Sequence, residues 1–396
     1  MFAAFAACLI SACANRPPEW LYQPPFDGYS NATCLSQGIS GRLYMAGEGD
    51  NGSQFLTAVS DSGEPVWSIV WEAPASGGGI YRVNNVVEST EGYIYLTGAY
   101  WRTVDFNSGD DEDFNTSSDG WDTFLMKLDM NGDFMWCRTW DGYEIAEEMV
   151  GEGPMLYMKL AGLAIDSQGS IYISYSDLRK YSSDGEMVWV EPIAGCDIAI
   201  DSRDLLYVAG RSCVSKINCN GQTLWSTDRY SRFGDAQEFA MAISLDEYCN
   251  VYACTSHGEI KKYDLNGDLT WSSDLRIYPE DLEVDQEGRV YVVGAFSDER
   301  RIEVASEYIS LTPRGSRDSF LGMIDDSGEL QWIKTWGSPD SYTTTVSLVT
   351  GPSGWIYIAG YYKTRMMIEL NGSEQTFTSD AYHQAYLVAL RCEVSR

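Results

Sequence analysis

Seven times along the chain a tyrosine stands between apolar residues in a short strand-like run: "LYMAG" from 43, "IYLTG" from 94, "IYISY" from 171, "LYVAG" from 206, "VYACT" from 251, "VYVVG" from 290 and "IYIAG" from 356. The tyrosines are Tyr44, Tyr95, Tyr172, Tyr207, Tyr252, Tyr291 and Tyr357. The first six runs are each followed by a turn and a tryptophan, as in "DMNGDFMW" and "DLNGDLTW". In every case Gly stands four residues ahead of the Trp, which is Trp67, Trp136, Trp189, Trp225, Trp271 or Trp332. This period constrains the fold more than any bulk property, because one such unit cannot bury its own faces and must stack on its neighbours.

Each unit reads as four strands, a to d: a short apolar strand, the Tyr strand, a third strand, and the Trp strand after a Gly-containing turn. No segment holds a 3.6-residue apolar period, so helices are expected to be few. The expected fold is all-β, a seven-bladed β-propeller of four-stranded antiparallel blades. Its blades fall near 33–73, 83–140, 161–193, 196–228, 238–277, 280–336 and 344–392. The seventh unit ends in "AYLVALRCEVSR" without a Trp strand, while the N-terminal "PPEWLYQPP" carries an orphan one. Residues 19–24, around Trp20, are therefore expected to form the outer strand of the last blade and close the ring.

The paired segments "VYVVGAFS…DSFLGMIDDSGELQWIKTW" and "IYLTGAYW…DTFLMKLDMNGDFMW" resemble the bacterial SBBP-type β-propeller repeat. The short middle units also resemble NHL and PQQ-like propeller repeats. The resemblance spans nearly all of 19–392 and implies the fold, while propellers host enzymes, ligand binders and scaffolds alike.

"DLNGDLTW" admits three readings. An EF-hand loop needs oxygen ligands through a twelfth-position Glu between two helices. Counting from Asp129 and Asp264, that position falls on Trp140 and Leu275, and strands flank both segments. The motif is similar to the Trp-docking motif of PQQ-like propellers, but the count of seven and the lack of adjacent cysteines depart from the quinone dehydrogenases. A tight c–d turn remains, with Gly and Asn tolerating left-handed backbone and Asp bonding neighbouring amides.

The N-terminal "MFAAFAACLISAC" is too short and too small-residued to span a bilayer. Its "ISAC" resembles the bacterial lipobox, which implies a signal over 1–12, lipid attachment at Cys13 and a tether over 13–18. The expected setting is export and lipid anchoring at the bacterial outer membrane or cell surface. Eight later cysteines, at 34, 137, 196, 213, 219, 249, 254 and 392, permit disulfides in such a setting. Cys213 and Cys219 are expected on one strand, too far apart to bond while it is extended. With 58 acidic against 27 basic residues, the net charge of −31 argues against nucleic acid and anionic lipid as partners.

The Tyr-to-Trp spacing measures the b–c connection: 17, 18 and 19 residues in units 3, 4 and 5, but 41 in units 2 and 6. Unit 7 is similarly long over 361–384. These units lie around unit 1 in a closed ring, so their loops are expected on one arc of the face shared by b–c and d–a connections. The d–a connections at 73–83 and 141–160 add to that side. Candidate binding residues there are Tyr100, Trp101, Asp105, Trp121, Arg301, Arg314, Tyr361 and Tyr362. The acidic insertion offers Asp110, Asp111 and Asp113 as weak calcium ligands; no other cofactor is expected.

Catalytic residues are not assigned. Of the two histidines, His257 is expected in a b–c turn and His383 at a surface, leaving little for His-based chemistry. The expected function is a non-enzymatic, monomeric propeller scaffold binding a protein or glycan at the cell envelope, touching the membrane only through its lipid. The alternative is a carbohydrate-active hydrolase or lyase with acidic residues at the central channel.

Overall fold

The computed structural model describes residues 18–391 apart from 25–27, 73–79, 108, 110, 142–160, 211–212, 228–231, 234–235 and 238. Seven antiparallel four-stranded sheets make the ring. Blade 1 is Ser30–Gln37, Leu43–Gly49, Gln54–Val59 and Pro65–Trp71. Blade 2 is Ile80–Glu88, Tyr93–Asp105, Phe114–Asp129 and Phe134–Trp140. Blade 3 is Gly162–Ile165, Ile171–Ser174, Leu178–Tyr181 and Met187–Glu191. Blade 4 is Gly195–Ile200, Leu206–Gly210, Val214–Ile217 and Thr223–Ser226. Blade 5 is Ala240–Leu245, Val251–Thr255, Glu259–Tyr263 and Leu269–Asp274. Blade 6 is Tyr278–Val284, Val290–Phe296, Asp318–Ile324 and Leu330–Trp336. Blade 7 takes Thr343–Thr350, Trp355–Tyr362 and Gln384–Arg391 from the C-terminal end, and Trp20–Tyr22 as its outer strand.

Closure is by direct pairing, with Trp20 opposite Ala389, Leu21 opposite Val388 and Tyr22 opposite Leu387. Among the described residues helix is confined to two short 3-10 turns. Antiparallel succession puts the b–c and d–a connections on one face and the a–b and c–d turns on the other.

The repeated Tyr and Trp form one pair per blade, with ring centroids 5.9 to 6.2 Å apart. Each tyrosine is fully buried, and each tryptophan reaches onto the next blade. The indole N–H of Trp67, Trp189, Trp225 and Trp271 donates to the carbonyls of Met130, Cys219, Leu265 and Asp326, at 2.9 to 3.1 Å, all in the following c–d turn. The turn glycine makes room: a Cβ on Gly267 would stand 2.9 Å from the Trp225 ring, and its φ of +89° is left-handed.

The same geometry resolves "DLNGDLTW". The Asp264 Oδ1 accepts the amides of Asn266 (2.8 Å) and Asp268 (3.0 Å), and these bonds hold its carboxyl below the usual range. Asp129 does likewise with Asn131 and Asp133. Their lone pairs serve the turn itself.

The glycine that closes the tyrosine run has a separate cause. Six of the a strands carry a bulge, and Gly47, Gly98, Gly210, Gly294 and Gly360 lie beside it on strand b. A Cβ on Gly98 would run into the carbonyl of Arg82.

Candidate functional site

The seven a strands surround a central cavity of about 410 Å³ lined by Ser36, Asn85, Asp197, Ser244, Asp281 and Glu283 among others. Two of its carboxylates latch neighbouring blades together. The Asp281 Oδ2 accepts the Ser347 hydroxyl (2.8 Å) and the Leu348 amide (3.1 Å), and the Asp197 Oδ2 accepts the Ile243 amide (3.2 Å). At the end of the a strands on the b–c side, burial pushes the Glu280 carboxyl up to about 7 against the pull of Arg317 and Arg82. Burial also raises Glu48, with Arg82 opposing. Among the described residues no three His, Cys, Asp or Glu side chains group as a metal-ligand set.

The long b–c segments are hairpins, and in blades 6 and 7 they lie along the outside of the ring rather than on the expected face. In blade 6 the hairpin Arg300–Val304/Glu307–Leu311 runs down the outside of the blade. Its tip reaches the far end of strand d, where the Ala305 amide donates to Leu330 O (2.8 Å) and Ser306 Oγ to Glu329 Oε1 (2.6 Å). Its inward residues Ile302, Val304, Ile309 and Leu311 pack with Trp271, Leu275 and Ile333, filling the groove between blades 5 and 6. The blade 7 hairpin, Arg365–Leu370/Ser373–Thr378, fills the next groove with Met366, Ile368 and Phe377 against Trp332 and Trp336. Its tip residue Asn371 exchanges hydrogen bonds with Glu19 (2.7 and 2.9 Å). In blade 2, Phe106 accepts the Trp71 indole N–H at its carbonyl (3.1 Å). Apolar alternation drives this folding back, since a free-standing hairpin would leave those side chains in water.

Three expected contact residues are core: Tyr100, Tyr361 and Tyr362 are buried and present no stacking surface. Trp101 and Trp121 stand opposite one another in register and half-buried, with the Arg102 guanidinium 3.9 Å from the Trp101 ring. The Asp105 Oδ1 accepts the amides of Asn107 (3.1 Å) and Asp113 (2.9 Å), closing its own loop. Asp111 is exposed and Asp113 half-buried; Asp110 lies outside the described residues. Arg301 lies 4.8 Å from the Tyr308 ring, and Arg314 pairs with Glu374 of the blade 7 hairpin at 2.6 Å.

Sequence reasoning missed several neighbours of these residues. Exposed Tyr278 sits under Arg300 (5.8 Å), exposed Tyr308 under Arg301, and exposed Tyr382 under Lys363 (4.7 Å). Blades 6, 7 and 2 thus carry a run of aromatic rings each topped by a cation. His383 corrects its surface assignment: it is buried among Tyr29, Tyr342, Tyr361 and Tyr382, with centroids 4.6 to 5.2 Å away. Its ring nitrogens make no hydrogen bond, and burial lowers it to about 4.

Cys137, Cys213, Cys219 and Cys249 are free thiols. Cys213 and Cys219 flank the strand Val214–Ile217, with Cys219 in the turn beyond it, because that strand is shorter than expected. Cys13, Cys392 and most of the connections at 73–83 and 141–160 lie outside the described residues.

No family model matches the chain, and no curated protein matches it. Solved structures do. The WD40 β-propeller domain of Doa1 is 10% identical, with a TM-score of 0.53 over 94% of this chain and 96% of that one. The Neurospora crassa Pan2 WD40 domain is 9% identical, with a TM-score of 0.52 over 96% and 98%. BamB from Moraxella catarrhalis is 11% identical, with a TM-score of 0.44 over 90% and 85%. At these identities the likeness to the two WD40 domains establishes the fold, a β-propeller, and leaves function to the chain's own residues.

Proposed function

We propose that this chain is a non-enzymatic, exported propeller lipoprotein of the SBBP repeat type, acting as a protein-binding scaffold at the cell envelope. The observation that carries the binding role is the set of exposed ring–cation pairs on blades 6 and 7, joined in blade 2 by the half-buried Trp101 under Arg102. Aromatic residues and arginine are the side chains enriched where proteins meet, because they bury large area at low entropic cost. Arg102, Arg301 and Lys363 each lie over a ring, while Arg300 and Arg314 also pair with Asp298 and Glu374, so the arc mixes both charges with its aromatic area. Lipidation at Cys13 would hold the ring at a membrane, and a glycan stacked on the same rings is the other ligand this arc could take.

The test is capture by the intact chain from envelope extract, compared with an Arg301→Ala/Tyr308→Ala/Tyr382→Ala variant of equal thermal stability. The expected result is a specific protein lost from the variant's eluate. Identical eluates would overturn the proposal.

A further inference from the structure

Strand d of blade 3, Met187–Glu191, is an outer edge strand bonded on one side only, to Leu178–Tyr181. Three of its five side chains are apolar and open to solvent: Met187 and Val188 at 57% and Val190 at 45%. The repeat supplies the comparison. Counting from the tryptophan, Met187 occupies the position of Leu330 in blade 6, and Val190 that of Ile333. Leu330 is only 4% exposed, and Ile333 packs in the groove between blades 5 and 6, because the blade 6 hairpin lies over them. Blade 3 has no such hairpin, since residues 175–177 alone join its strands b and c.

Backbone pairing outward from a blade occurs at blade 6, as a single bridge. Just past the outer strand of blade 6, Gly337 and Met367 exchange backbone hydrogen bonds (3.3 Å each), an isolated antiparallel bridge that ties the blade 7 hairpin to that blade. An exposed apolar edge is a template for that pairing.

We propose that strand d of blade 3 is a docking edge for an extended segment of a partner protein, added as a fifth strand whose side chains cover the apolar positions that the blade 6 hairpin covers in its own blade. The partner's chemistry follows from the edge. Its inward residues alternate as aliphatics, as Ile302 and Val304 do in blade 6, to cover Met187, Val188 and Val190. Its flanks are basic, because exposed Asp184 and Glu186 precede the strand. A second copy of this chain is disfavoured by mutual repulsion at a net charge of −31 each. This edge is distinct from the ring–cation arc of blades 6, 7 and 2.

The experiment uses the full chain and a capped ten-residue peptide of alternating valine and lysine. A peptide of the same composition with its lysines and valines in two blocks is the control. The alternating peptide is expected to bind and to slow amide exchange over 187–191. The near-isosteric Val188→Thr/Val190→Thr variant, which keeps strand propensity and charge, should weaken it about tenfold. The Arg301→Ala/Tyr308→Ala/Tyr382→Ala variant should leave binding unchanged, which separates this edge from the arc. Equal binding of the block peptide, an undiminished affinity in the threonine variant, or no slowing over 187–191 would overturn the proposal. So would self-association abolished by the same threonines, which would make the occupant a second copy.

Discussion

Trp20 and Tyr357 stand 337 residues apart in sequence, yet their rings lie 6.0 Å apart, in the same relation as the six Tyr–Trp pairs made within contiguous blades. Trp20 also lies against Gly63 in the c–d turn of blade 1, where a Cβ would come within 2.7 Å of the indole. One residue therefore completes blade 7 and docks it on blade 1, so closure and blade packing are a single event.

Trp20→Ala is expected to cost about 3 kcal/mol, in the range of large aromatic truncations, reduced somewhat because the indole is only half-buried. Trp225→Ala, at the same position within a contiguous blade, should cost a similar amount. Denaturant midpoints of the two variants check this. A much smaller effect at Trp20 would mean that the ring holds without its N-terminal strand.

Gly267→Ala should destabilise by about 2 kcal/mol, since it combines a left-handed backbone with a methyl against Trp225. Asp264→Ala should lower the denaturant midpoint by less than Gly267→Ala does, through the two lost turn amide bonds. Chelator should not shift the melting temperature through Asp264 or Asp129, because their oxygens already serve backbone amides.

Two groups tilt stability in opposite directions with pH. His383 is lowered to about 4 by burial, so the unfolded chain binds the extra proton between about 4 and 6.5. Its contribution is full above the unfolded value and is lost as pH falls through the folded one, up to about 3 kcal/mol. Glu280 is raised to about 7 by burial, so its contribution is full below about 4.5 and is lost as pH rises through 7, again by no more than about 3 kcal/mol. His383→Phe should flatten the acid limb, and Glu280→Gln should raise stability at pH 8 relative to pH 5. Melting curves from pH 4 to 8 test both signs.

Cys13→Ser should move the protein from the membrane fraction to the soluble fraction of the exporting cell, with the propeller's melting temperature unchanged. Intact-mass measurement of the wild type should show a diacylglyceryl adduct on a chain beginning at Cys13. An unmodified Cys13 would remove the anchor from the account.

The ring was legible because each blade spends the same two residues on the same contact: the tyrosine packs inside its blade, and the tryptophan needs a glycine in the next turn. The orphan Trp20 was legible for the same reason. The hairpins were legible as strands but not in their direction, since alternation in "RRIEV" and "EYISL" says that one side is buried without saying against what. His383 was opaque because its cage gathers Tyr342, Tyr361 and Tyr382 from separate segments of blade 7 and Tyr29 from the start of blade 1, with no spacing that signals it. The exposed rings carry no motif, so only their placement under arginines and a lysine marks them.

The most direct test of the scaffold is amide exchange on the intact chain, measured alone and with the partner it captures. Slowed exchange over 300–311 and 363–382, with the c–d turns at 129–133 and 264–268 unaffected, is the predicted result. Slowing confined to those turns, or to the a strands around the central cavity, would contradict the account.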